Sequence, residues 1–140
     1  MFRRLFQTES EESGARSQSE SDRKYAELKT LFGNSGELLE DLQPIGGSFC
    51  HTLRAEIGVH GENGADAFEF DVCSPEFLEN ETESYPVFSG QNLIITKRFN
   101  VEQIEEFVRK RLRHATGKDW HEIAEKISNW ARWEFEDYRH

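Results

Sequence analysis

Two cysteines, five histidines and a surplus of carboxylates set the chemistry open to this 140-residue chain. His121-Glu122-Ile123-Ala124-Glu125 opens like the zinc-protease pattern, in which two histidines four residues apart share one helix face and hold the metal. Here the second position is Glu125, so half the ligand set is missing, and a His121–Glu125 pair on a solvated face is expected instead. Cys50 and Cys73 have neither zinc-ligand spacing nor the partners of a secreted disulfide framework, so a reduced thiol pair is expected. The remaining histidines, His51, His60, His114 and His140, are scattered. No nucleophile elbow and no phosphate-cradling glycine loop occurs. Neither a cofactor nor a metal is expected.

Charge offers two further candidates. Arg109-Lys110-Arg111-Leu112-Arg113-His114 is a basic cluster of the kind that contacts phosphates. Glu105 and Glu106 precede Arg109 and Lys110 by four residues, and cations suit a helix C-terminus, so a solvated helix face is the expectation and nucleic acid is not. Carboxylates are less evenly spread. From Arg54 to Glu83 there are nine acids against one cation. The closing stretch Trp130 to Tyr138 interleaves four rings with Glu134, Glu136 and Asp137.

The totals agree with a small acidic domain. Net charge is −10 and the isoelectric point is near 5.0, which disfavours nucleic acid and anionic membranes and suits a basic partner. Mean hydropathy is low at −0.77. Eleven Phe, three Trp and three Tyr nevertheless concentrate apolar area in few side chains, predicting an aromatic core. Neither a signal-peptide run nor a membrane-spanning run occurs, so a cytoplasmic protein is expected. Thr8 to Asp22 contains one apolar residue, Ala15, and cannot offset the entropy of ordering. Residues 1–22 therefore read as a flexible extension and residues 23–140 as one domain.

These residues must be positioned by strands and helices whose periods are visible. Tyr25 to Phe32 suits a strand or a helix turn. Phe49 to Ile57 alternates, with Leu53, Ala55 and Ile57 on one face, and Phe68, Phe70 and Val72 alternate after the turn. A hairpin with Ile57 opposite Phe68 aligns the two apolar faces, placing Thr52 across from Cys73 and Cys50 diagonal to it. Ser74-Pro75-Glu76 opens a short helix, Asn92 to Phe99 is a strand, and Asn100 with Gln103 caps a helix whose stripe is Ile104, Phe107, Val108 and Leu112. Asp119 and Glu122 cap another, with Trp120, Ile123, Ala124, Ile127, Trp130 and Ala131 inward. Trp133 and Phe135 then alternate with Glu134 and Glu136, as in a final strand with Tyr138 on the glutamates' face. The expected class is α+β, an antiparallel sheet of about four to five strands with two main helices packed on one face.

Three stretches together, "IGVHGENGADAFEFDVCSPEFL", "ITKRFNVEQIEEFV" and "WHEIAEKISNWARWEFEDY", resemble the immunity protein 8 family of bacterial polymorphic-toxin systems of the contact-dependent inhibition type. The resemblance spans roughly Tyr25 to Tyr138. It rests on Ile57-Gly58 before the turn, Phe68, Phe70, Val72, Cys73, Pro75 and Leu78 in one run, Trp120 with Glu122-Ile123, and the Trp133 to Tyr138 ending. Phe77 stands where the pattern suggests Trp, and the N-terminal extension is unusual.

The resemblance implies a non-enzymatic cytoplasmic protein that binds and neutralises a cognate toxin C-terminal domain, basic and often a nuclease. Residues expected to face that toxin are Glu69 and Asp71 on the hairpin, Glu79, Glu81 and Glu83 after it, and Glu134, Glu136, Asp137 and Tyr138 at the end. The competing readings are a small enzyme or accessory subunit using a Cys/His site, and a generic acidic protein-binding module. A reactive Cys73 or bound zinc would favour the enzyme.

Overall fold

The computed structural model describes residues 23–42 and 47–135. The expected extension 1–22 and the candidates Glu136, Asp137 and Tyr138 lie outside them. Strands β1 (Lys24–Gly33), β2 (Cys50–Val59) and β3 (Asp66–Cys73) are followed by helix α1 (Pro75–Ser84) and strand β4 (Leu93–Ile95). Helix α2 (Val101–Arg113), strand β5 (Thr116–Gly117), helix α3 (Trp120–Ile127) and strand β6 (Arg132–Trp133) complete the order. The sheet runs β4-β3-β2-β1-β5, and β6 also pairs with β3. Tyr25 to Phe32 is thus a strand.

An α+β sheet with two main helices on one face is what forms, but the sheet is mixed. β4 lies parallel to β3, whereas β6 meets the same strand antiparallel at Phe68 and Glu69. β4 can run parallel because α1 and the chain after it carry the polypeptide back before the strand begins, which a tight hairpin cannot do.

The β2–β3 hairpin keeps its expected faces and changes its register. Ile57 opposes Asp66, Ala55 opposes Phe68 and Leu53 opposes Phe70, two residues away from the pairing that matches the apolar positions one to one. An even slip leaves every side chain on its own face, so alternation alone cannot choose between them. The turn decides. Gly61 takes a φ of 82°, Glu62 N–H bonds back to the Val59 carbonyl, and the chain re-enters the sheet only at Asp66.

This register sets Thr52 across from Asp71 rather than Cys73. It also sets Cys50 directly opposite Cys73, Cα atoms 4.1 Å apart and paired as a disulfide in place of the two free thiols expected.

Leu53, Ala55, Ile57, Phe68, Phe70 and Val72 are completely buried beneath Ile104, Val108 and Leu112 of α2 and Ile123, Ala124 and Ile127 of α3. Phe107 departs from the expected stripe and is exposed. The i, i+4, i+8 row 104/108/112 is what meets the sheet, and Phe107 lies beside that row. Both caps form as read, with Asn100 accepting from Gln103 N–H and Asp119 from Glu122 N–H.

Ser74 is the joint between sheet and α1. It is buried, and its Oγ accepts from Phe77 N–H at 3.2 Å as helix cap and from Phe49 N–H at 3.0 Å. Ser74→Ala removes the acceptor for both donors. A loss of about 1–2 kcal/mol is expected in urea unfolding, with hydrogen exchange accelerating first in residues 75–84. Unchanged exchange there would show that the helix does not depend on this cap.

Candidate partner-binding surface

β3 turns its fully buried Phe68, Phe70 and Val72 towards the helices, so Glu69 and Asp71 face the opposite, uncovered side of the sheet. Neither is unengaged. Asp71 Oδ1 accepts from the Thr52 hydroxyl at 2.6 Å, and Glu69 Oε1 lies 3.3 Å from Arg132 Nη2.

Glu134 is tied to the main chain. Its Oε2 accepts from Ala67 N–H at 2.6 Å while its own N–H donates to the Ala67 carbonyl at 3.0 Å. Its carboxylate thus extends the β6–β3 pairing by one step. Trp133 is buried against Phe68, rings near parallel with centroids 6.2 Å apart, whereas Phe135 is exposed and meets Trp133 edge to face. Trp133 therefore anchors the final strand as expected and Phe135 does not. Trp130 lies beyond the end of α3 and packs against the core from a turn, its ring covered at 5.0 Å by the Arg111 guanidinium.

The α1 region is built differently. Glu76, Glu79 and Glu83 follow helical spacing and line one wall of a cleft of about 920 Å³; Lys97 and Arg98 line it from the start of the next connection, with Phe49 and Phe99 between. The two rings meet edge to face. Among the described residues, none of these five charged side chains makes an ion pair with another. Glu81 is half-buried and outside the cleft.

The chain then exposes Tyr85, Val87 and Phe88 in succession. Periodicity gives no warning of them, because a run broken by Pro86 and followed by Ser-Gly belongs to no strand or helix. That mismatch, apolar residues in a segment with loop punctuation, is the signal that finds them.

The remaining candidates fall to ordinary structural roles. His121 Nε2 pairs with Glu125 at 3.2 Å. Among the described residues no group of three or more His, Cys, Asp or Glu is placed to hold a metal, and no cysteine is free. Cys73 is completely buried, and His51 stacks on Phe49 and meets Phe99 edge to face. Glu105 and Glu106 do not pair with Arg109 or Lys110 as their spacing suggests. No helix among the described residues is long and apolar enough to cross a membrane.

A family model described as immunity protein 8 matches residues 26–138. No curated protein and no solved structure matches the chain.

Proposed function

Because the chain belongs to the immunity protein 8 family, we propose that it is a non-enzymatic inhibitor that binds the C-terminal toxin domain of a cognate secreted protein in the cytoplasm, protecting the cell that makes it. The family match over residues 26–138 is the observation that carries this reading. Charge supports the finer part of it. A toxin that acts on nucleic acid presents a basic surface, and a net charge of −10 raises the rate at which such a surface arrives.

The carboxylates of Glu69, Asp71, Glu79, Glu81, Glu83 and Glu134 contribute to this negative field, joined by Glu136 and Asp137 at the chain end, where Tyr138 is a neutral contact candidate. Glu69, Asp71 and Glu134 act mainly at long range, since each already has a partner within the domain. In the reducing cytoplasm the Cys50–Cys73 pair would stand as two thiols; the backbone ladder from His51–Val72 to Ile57–Asp66 holds the hairpin in both states.

A Cys/His enzyme is the weaker reading, because the buried Cys73 offers no thiolate to a substrate. The test is to identify a secreted protein whose gene adjoins this one and to co-express its C-terminal domain with this chain. The expected result is survival of the cells and a purified complex whose association rate falls on the order of tenfold from low to above-physiological salt. Growth arrest with no recoverable complex would refute the reading.

A further inference from the structure

Helix α1 has ten residues, and none is buried. The other two helices each bury an apolar row against the sheet. Isolated helices this short are marginal in water, because nucleation is costly and too few hydrogen bonds follow. What holds α1 is its first turn, through Ser74 and Pro75. Phe77 and Leu78 reach only half burial.

The segment that follows is more exposed still. Tyr85 is 63% accessible, Val87 94% and Phe88 40%. Three apolar side chains at nearly consecutive positions, one of them an accessible aromatic ring fixed beside a proline, are costly to leave in water. From Ser74 to Gln91 the chain also carries four glutamates and no lysine or arginine. Helix and loop together have the composition of an interface, apolar and aromatic anchors within a rim of one charge sign.

We propose that α1 and the Tyr85–Phe88 loop form the anchoring surface for the toxin domain, and that the surface they grip is basic, with an apolar depression receiving Tyr85, Val87 and Phe88. The inference rests on the immunity reading and deepens it by naming the surface. Its charge complementarity is direct. Glu79 and Glu83 line the 920 Å³ cleft with Glu76, Lys97 and Arg98, and neither has an ion partner among the described residues. Three carboxylates, Glu76, Glu79 and Glu83, outnumber Lys97 and Arg98 along the cleft, so its lining is net negative and suits an arginine or lysine side chain of the partner. Glu69 and Asp71, on the uncovered side of the sheet, steer without anchoring.

Steering and anchoring separate kinetically, since exposed rim charges act on association and desolvated apolar anchors on dissociation. The experiment measures both rates for full-length variants against the purified toxin domain that co-expression identifies. Tyr85→Ala/Val87→Ala/Phe88→Ala is expected to accelerate dissociation roughly 100-fold. Glu79→Lys/Glu83→Lys is expected to slow association about tenfold at low salt and also to speed dissociation. Glu69→Lys/Asp71→Lys is expected to change association alone.

Thermal unfolding of each variant checks that the fold persists. As a second measurement that needs no variant, hydrogen exchange of wild-type protein should show residues 75–91 protected in the complex. If wild-type protein binds the toxin domain but the triple alanine variant dissociates within twofold of it, or residues 75–91 exchange as fast in the complex as when free, the surface is elsewhere and this inference falls while the immunity reading stands. If wild-type protein forms no complex, both fall.

Discussion

Asp66→Ala is expected to destabilise the domain by about 3 kcal/mol, a large effect for a side chain that is not in the apolar core. One oxygen of Asp66, Oδ2, accepts from both the Trp120 indole at 2.7 Å and the Trp133 indole at 3.0 Å. The first tryptophan opens α3 and the second closes β6, so a single carboxylate at the start of β3 joins three elements. Hydrogen bonds to a charged acceptor contribute about 1.5–3 kcal/mol each. Asp66 is only half-buried, so water can replace part of what is lost, and the lower end of that range applies to each bond.

Asp66→Asn retains an oxygen in the same place and loses the charge, and about 1 kcal/mol is expected for it. Urea unfolding gives both values, and the two indole N–H resonances in the NMR spectrum should move together in either variant. A loss below about 0.5 kcal/mol in Asp66→Ala, or movement of one indole alone, would show that the bridge does not couple the elements.

Gly58→Ala should cost about 3 kcal/mol for a different reason. A methyl group built on Gly58 would stand 2.0 Å from the Gly64 carbonyl oxygen, far inside contact distance. The obstructing atom belongs to the main chain and cannot swing aside as a side chain would. The His60–Ala65 turn must therefore lift from β2, placing the cost at the upper end of that for overpacking. Lifting it also displaces Asp66, the next residue, so the two indole resonances should shift here too. Exchange protection should fall across residues 60–65 while the α2 amides stay slow. A variant of wild-type stability would mean that the turn moves freely and does not set the hairpin register.

These two residues show how far the chain can be read without its fold. Gly58 precedes the turn and Trp120 opens the last helix, and both are marks shared with the family pattern. Their positions are visible in the sequence, but their reasons are not, because Gly58 answers to Gly64 across a turn and Trp120 to a carboxylate 54 residues away. The candidate surface divides similarly. Glu79 and Glu83 stand out as part of an acidic run, and the cleft they line depends on Phe49 and Phe99, which the sequence places in separate elements. Glu134 reads as a surface acid yet binds the Ala67 backbone. The exposed Tyr85, Val87 and Phe88 carry no period; the loop punctuation around them marks them in the sequence, and their accessibility sets them apart from the core.

The sequence by itself determined which side of β2, β3, α2 and α3 turns inward, Phe107 excepted, because side-chain direction repeats every two residues in a strand and every 3.6 in a helix. It also determined where α1, α2 and α3 begin, because Ser74, Asn100 and Asp119 satisfy backbone donors within a few residues of themselves. Only the tertiary structure decided the two-residue register of the hairpin, the parallel placement of β4, the Cys50–Cys73 pairing and the closure of Trp120 and Trp133 on Asp66. The physical reason is common to all four. Local rules constrain direction and leave translations by an even number of residues equivalent, so pairings between distant positions are selected by turn geometry and by the way the whole core fills.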